Sequence, residues 1–157
     1  MNEMPSRLSG REINMRQLNR AMLISIHARY AHLILSGEKR VELRRRFSSH
    51  AVGNRMLIYA TLPAAAVVGH VLIDDVQTAS VREIWQAYGK NAVISAEDFD
   101  AYFAGLRTGN AVLLRDPVKY EQPIPLDDLR KSYGLRAPQS YIYLNEAHRD
   151  LIEHERY

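Results

Sequence analysis

Short apolar runs separated by polar turns dominate this chain, and most of them have the length and composition of β-strands. Such runs are rich in β-branched or alternating apolar residues and are bounded by Gly, Pro or polar clusters. The pattern predicts strands at residues 21–26, 39–47, 55–61, 66–79, 110–126 and 140–144. Pro117 interrupts the fifth run, and Pro123 and Pro125 end it.

Helical spacing marks the segments between these runs. Tyr30, Ala31, Ile34 and Leu35 follow the helical period, and Gly37 is placed to end that helix. Further helices are predicted at residues 81–88, 95–106 and 127–134, and the polar C-terminal segment is predicted to be a helix or a tail. We interpret Trp85, inside the second helix, as a core residue.

Strands open and close the chain, with helices between them and no βαβ alternation. This order predicts an α+β fold in which a small, mostly antiparallel β-barrel is decorated with helices.

The segment Gly37–Phe47, GEKRVELRRRF, combines a strand pattern with dense positive charge. Side chains alternate between the two faces of a strand, so Val41 and Leu43 should face one way, and Glu42 and Arg44 the other. Because Glu42 and Arg44 lie on one face, two residues apart, Glu42 is placed to pair with Arg44 and orient its side chain. The segment is therefore a candidate ligand-binding strand.

The composition is that of one folded domain. Its 157 residues are 46% hydrophobic and 25% charged, enough to form a sizeable core. No apolar run is long enough to cross a membrane, and no secretory apolar segment opens the chain. The absence of cysteine excludes disulfides and thiolate metal sites. These features predict a cytoplasmic protein with no membrane partner.

Positive charge is concentrated at the N-terminal end. Residues 1–46 carry ten Lys and Arg against four acids, a net charge of +6, whereas the rest of the chain is −3. Residues 1–20 show no sustained helical or strand period and are interpreted as a flexible basic arm. A basic third on an otherwise acidic chain is typical of a surface that meets a polyanion.

The same segment resembles a known family signature. Gly37, Lys39, Glu42 and Arg44 fill the pattern G-x-K-x-x-E-x-R, which follows a strand and a short helix in ASCH domains of the PUA-like superfamily. The resemblance extends over residues 22–144, and it is closest to a prokaryotic branch labelled PUA-like transcriptional regulator. We therefore divide the chain into the arm, an ASCH domain at 21–145, and a polar C-terminal helix or tail at 146–157.

The resemblance implies a pseudobarrel with a cleft between barrel and helices, lined by the motif and taking a nucleic acid or nucleoside. Single-stranded or modified RNA is the ligand we expect, since a deep pocket takes a splayed base more readily than a duplex. Lys39, Arg40, Arg44 and Arg46 would neutralise phosphates. The expected base contacts are Tyr30, Gln139 and Ser140.

Two other functions stay open at this point. Some ASCH relatives are enzymes, a metal-dependent ribonuclease and an N4-acetylcytidine amidohydrolase among them, and in an enzyme Lys39 and Glu42 would be the catalytic residues. No cofactor is expected unless the protein is a ribonuclease, which would take Mg²⁺. Glu42 stands where the amidohydrolases place a threonine nucleophile, which disfavours their mechanism. A DNA-binding regulator is the third possibility, although 20 leading residues are too few for a helix-turn-helix.

Overall fold

The computed structural model describes residues 21–153, and a six-stranded mixed sheet forms the centre of that part of the chain. The predicted arm at 1–20 and the last four residues lie outside the described residues. The strands are β1 Met22–Ile26, β2 Val41–Arg44, β3 Arg55–Ala60, β4 Ala66–Ser80, β5 Thr108–Pro125 and β6 Tyr141–Tyr143. Their spatial order is β2-β5-β4-β3-β1-β6, and of these neighbouring pairs β1 and β3 alone run parallel.

Five α-helices decorate the sheet within the described residues. They are α1 Ala28–Ser36, α2 Val81–Tyr88, α3 Ala96–Tyr102, α4 Leu126–Tyr133 and α5 Arg149–Glu153, with 3₁₀ turns at Ser49–Ala51 and Glu146–His148. Their ends follow the sequence signals. Gly37 adopts the left-handed conformation, φ 88°, that ends α1, and the hydroxyls of Ser80 and Ser95 accept the backbone N–H bonds that open α2 and α3.

The sheet curls into a half-barrel, which confirms the predicted α+β fold of mostly antiparallel strands. The register between β4 and β5 shifts at three places along their length, and such bulges bend and twist a strand pair. The barrel is not closed, because β2 and β6, of four and three residues, lie at opposite ends of the strand order. An open seam remains between these two edges.

Apolar packing covers both faces of the central strands. The even-numbered residues Met22, Ile24 and Ile26 of β1 pack into a cluster with α1, whereas Leu23 faces a second cluster with residues of α4 and α5. Successive strand residues point to opposite faces, so a strand buried on both sides reads as one apolar run. Leu151 and Ile152 of α5 belong to the second cluster.

A third cluster joins α2 and α3 to the outer face of β2, and it corrects one interpretation made from the sequence. Ile84 is the buried residue of α2, whereas Trp85 is 37% exposed. Neighbouring helix residues point about 100° apart, so the turn that buries Ile84 carries Trp85 toward the rim. Its ring contacts the ring of Phe99 at the edge of this cluster, 4.9 Å between centroids.

None of the described helices is both long enough and apolar enough to cross a membrane.

Gly69 generates the first prediction. A Cβ atom there would overlap the carbonyl oxygen of Val118 and lie 2.7 Å from a methyl carbon of Leu35. We expect Gly69→Ala to lower the free energy of unfolding by about 3 kcal/mol, because a backbone carbonyl cannot rotate away. Gly134→Ala is the matched control, since its Cβ would meet nothing and only its φ of 64° opposes alanine, at about 1 kcal/mol. Urea unfolding measures both, and equal losses would contradict the steric explanation.

His70 generates the second prediction. Its ring lies in the interior with Nδ1 2.8 Å from the hydroxyl of Tyr120, and burial, aided by the charge of Arg55, lowers the pKa of His70 to about 4. The fold thus favours neutral His70, and this stabilisation is complete above the unfolded pKa of 6.5. Lowering the pH from about 7 toward 4 should therefore lower the free energy of unfolding by about 3 kcal/mol.

Urea unfolding at several pH values, with wild type and His70→Gln side by side, isolates this effect. Glutamine can keep a hydrogen bond to Tyr120 but does not titrate, so the variant should lose less stability than wild type over this range. Parallel pH profiles for the two proteins would refute the assignment.

Candidate nucleic-acid interface

A cleft of about 220 Å³ opens at the seam of the half-barrel. The end of β1, the start of α1, the inner face of β2 and the last turn of α3 form its walls. The lining residues are Ser25, Ile26, His27, Tyr30, Lys39, Glu42, Leu43, Arg44, Ile94 and Tyr102. The cleft therefore brings together four residues that the sequence picked out: Tyr30, Lys39, Glu42 and Arg44.

Glu42 is the charge centre of the cleft. Its side chain is 9% exposed, with one carboxylate oxygen 3.7 Å from the Nζ of Lys39 and the other 3.1 Å from the Nη1 of Arg44. The predicted alternation of β2 is confirmed, since Glu42 and Arg44 share one face while Val41 and Leu43 pack into the third cluster. Each carboxylate oxygen therefore has a cationic neighbour, and a buried carboxylate needs such partners.

Lys39 is buried to 3% exposure beneath the cleft. Its Nζ donates a hydrogen bond to the carbonyl of Ala92 at 2.5 Å and lies 4.9 Å from the centre of the Tyr30 ring. Burial lowers the pKa of Lys39, and the charge of Glu42 partly opposes the shift. The ammonium is thus held between a carboxylate, a carbonyl and an aromatic face.

Arg44 bridges the seam. Its Nη2 donates to the hydroxyl of Ser140 at 2.8 Å, and Ser140 directly precedes the edge strand β6. The same turn is fixed to β1, because Ser25 donates its N–H to the carbonyl of Ser140 and its hydroxyl to that of Pro138. One guanidinium therefore links the two edges of the sheet that no strand pairing joins.

Tyr102 is a functional candidate that the sequence did not single out. It ends α3 and is half-buried at the mouth of the cleft. Burial raises the pKa of its phenol, the charge of Arg44 opposing the shift, and its oxygen accepts the backbone N–H of Arg45 at 3.2 Å. The phenol therefore stays protonated at neutral pH.

A second cavity of about 380 Å³ adjoins the cleft and shares Arg44 and Tyr102 with it. Its other lining residues are Arg45, Arg46, Leu106 and Ser140. Arg45 is occupied, because its guanidinium donates to the carbonyl of Tyr102 at 2.7 Å. Arg46 is exposed and makes no ion pair within residues 21–153.

Two of the predicted binding residues lie elsewhere. Arg40 lines a separate cavity of about 280 Å³ beside Arg115 and Pro117, and Lys39 separates that cavity from the cleft. Gln139 is exposed next to Ser140 and lines neither the cleft nor the adjoining cavity.

Carboxylate and imidazole groups do not cluster in the part of the chain that the structure describes, where no three of them come together as metal ligands. Glu42 is the single carboxylate of the cleft lining, and both of its oxygens face cations. A magnesium ion, which takes oxygen ligands, would have to displace Lys39 and Arg44. The residues present do not fit a metal site in the cleft.

The buried charges generate the third prediction. Glu42→Gln leaves Lys39 buried without its counter-charge, so we expect a loss of about 3 kcal/mol in the free energy of unfolding. In the double variant Lys39→Met/Glu42→Gln the unpaired ammonium is gone, and part of that loss should return. Urea unfolding of the two single variants and the double variant completes the cycle. Strictly additive losses would contradict a direct coupling between the two residues.

Comparison with known proteins agrees with this geometry. The family model of the ASCH domain matches residues 24–123. An ASCH domain-containing ribonuclease from Zymomonas mobilis subsp. mobilis is 35% identical over 127 residues, which cover 79% of this chain and 84% of the relative.

Solved structures give the same result. The crystal structure of ASCH from Zymomonas mobilis superposes with a TM-score of 0.80 at 33% identity, covering 85% of this chain and 94% of that one. The N-terminal domain of McrB from Staphylothermus marinus, with a TM-score of 0.54 at 14% identity, shares the fold alone. The sequence resemblance is thereby confirmed, and this chain belongs to the ASCH domain family.

Proposed function

We propose that the protein binds single-stranded RNA, with one unpaired base in the cleft and the adjoining backbone along the second cavity. The observation that carries the proposal is the continuity of the two spaces. An aromatic-lined cleft passes, across Arg44 and Tyr102, into a cavity bordered by three consecutive arginines. Aromatic faces beside a basic track are the two elements that single-strand binding combines.

The cleft suits a base rather than a whole nucleotide. Its volume of about 220 Å³ is below the roughly 300–1,000 Å³ of common ligand pockets. Two cations, Arg29 and Lys39, already lie over the Tyr30 ring, each 4.9 Å from its centre. Tyr102 therefore offers the face on which a base can stack, and its protonated phenol can donate to a ring nitrogen or carbonyl. Such contacts require a base that is splayed out of a helix, which favours single strands over duplexes.

The cations divide into supporting and contacting groups in this proposal. Lys39 is buried and already bound by protein groups, so it supports the floor of the cleft instead of meeting phosphate. Arg44 has donors beyond those held by Glu42 and Ser140, and Arg46 is exposed in the same cavity. Arg44 and Arg46 are therefore the phosphate contacts that we propose.

RNA cleavage is the second candidate, favoured because a relative with 35% identity carries the name ribonuclease. Cleavage needs a group that moves a proton within hydrogen-bond reach of the scissile phosphate. Tyr102 borders both the cleft and the second cavity, and its protonated hydroxyl can donate a proton there. Amidohydrolase chemistry is not proposed, because Glu42 stands at the position of the threonine nucleophile.

The fourth prediction concerns RNA affinity. We expect Arg46→Ala to weaken binding of a labelled oligouridylate about tenfold at low salt, and to reduce the slope of log K against log salt by about 0.7, because one phosphate contact is lost. Arg130→Ala on α4 is the matched control, since it removes an exposed arginine that lines neither the cleft nor the second cavity. Fluorescence anisotropy at several salt concentrations measures both quantities.

Each outcome assigns a function. Equal binding by wild type and both variants would remove the arginine track from the proposal, and tighter binding of one duplex DNA sequence would favour a regulator. Products on a denaturing gel with wild type, absent with Tyr102→Phe or Lys39→Met while binding persists, would establish the ribonuclease candidate instead.

A further inference from the structure

A third, more open space lies next to the cleft on its α2 side. This groove has a volume of about 760 Å³, and its lining includes Trp85, Gly89, Lys90, Val93 and Ile94. Ile94 also lines the cleft, so the groove begins where the cleft ends. The second cavity leaves the cleft through Arg44 and Tyr102, which do not line the groove. The groove, the cleft and the second cavity therefore adjoin in this order, and we call this row of spaces the path.

Trp85 stands in this groove as a fixed aromatic surface. Its ring contacts Phe99 at 4.9 Å between centroids, and a Cβ added at Gly89 would lie 2.8 Å from an atom of the indole. Glycine at this position therefore lets the backbone lie directly against the ring. With that side of the indole held by the protein, the 37% that is exposed faces the groove.

The floor of the groove is tied to the cleft. The carbonyl of Asn91 accepts the backbone N–H groups of Arg40 and Val41, and the carbonyl of Ala92 accepts the ammonium of Lys39. Val93 is held at a φ of 51°, a strained conformation for a β-branched residue. The loop between α2 and α3 is thus fixed to the strand that carries the binding motif.

From this arrangement, and resting on the function proposed above, we infer that Trp85 is a second base-binding subsite, on which the next base of an RNA strand stacks as the strand leaves the cleft. A rigid, partly exposed tryptophan is the side chain best suited to sequence-tolerant stacking. Lys90 is the one charged residue of the groove lining. The acids that open α3, Glu97 and Asp98, do not line it.

This charge pattern separates the roles of the two ends of the path. A groove with one lysine next to an acidic helix start is suited to a base, while the arginines beyond Tyr102 are suited to phosphates. Loss of Trp85 should therefore weaken binding without changing its salt dependence, in contrast to loss of Arg46.

The sequence makes the test direct, because Trp85 is the only tryptophan of the chain. Its fluorescence therefore reports on this subsite alone. The probes are 2′-O-methyl uridylates, which resist cleavage through the 2′-hydroxyl, from mononucleotide to octanucleotide. Fluorescence anisotropy measures binding, and tryptophan emission is recorded in the same titration.

We expect the octanucleotide to quench Trp85 at saturation, and the mononucleotide, whose single base fills the cleft alone, to bind with little quenching. Trp85→Ala should weaken octanucleotide binding about tenfold with an unchanged salt slope, and Trp85→Phe should retain most of the affinity. The phenylalanine variant preserves a ring against Phe99, so it also guards against an effect of misfolding. Thermal melting of both variants confirms that they are folded.

Failure of the subsite and failure of the proposed function give different results. If the octanucleotide binds, depends on Arg46 and leaves both the emission of Trp85 and the affinity of Trp85→Ala unchanged, the subsite is overturned and the proposed function stands. If no probe of any length binds, both the proposed function and the subsite are overturned. A further outcome concerns the variant Arg44→Ala/Arg46→Ala. If RNA still quenches Trp85 in this variant while the anisotropy shows no binding, the quenching comes from a contact unrelated to the cleft, and the inference is overturned.

Discussion

A buried carboxylate between two cations is the interaction on which the site depends. Glu42 is nearly inaccessible, and removing a carboxylate from water is costly unless charges and hydrogen bonds replace the lost hydration. Lys39 and Arg44 supply those charges, and each of them makes a further contact elsewhere in the fold. Lys39 reaches the loop between α2 and α3, and Arg44 reaches the turn before β6. The short segment from Lys39 to Arg44 thereby fixes two distant segments.

The open seam of the sheet explains why these contacts are needed. A closed barrel leaves no unpaired edge, whereas here β2 and β6 end the sheet on opposite sides. Their union depends on a guanidinium and a hydroxyl instead of a ladder of backbone hydrogen bonds. Backbone hydrogen bonds between β2 and β6 would close the seam. The side-chain contact leaves a gap there, and that gap is the cleft. The residues of the family signature thus also hold the barrel together.

The positions of the basic residues show that charge alone does not identify which cations can contact a ligand. The five cations of residues 39–46 look equivalent in the sequence, but they occupy different environments. Lys39 is buried, Arg45 holds the end of α3, and Arg40 lies at a separate cavity. Arg44 and Arg46 border the second cavity, where Arg44 has donors beyond those held by Glu42 and Ser140 and Arg46 is exposed. A count of positive charges predicts a polyanion surface, but the fold decides which cations can reach it.

The sequence by itself determined the features that depend on neighbouring residues. Strand and helix periods, the helix caps at Gly37, Ser80 and Ser95, the shared face of Glu42 and Arg44, and the family signature all follow from short-range backbone geometry. Only the tertiary structure decided the rest. The partner of Lys39 is 53 residues away and that of Arg44 is 96, and the exposure of Trp85 depends on how α2 lies against the sheet. Burial and long-range partners are set by chain segments that no local pattern brings together.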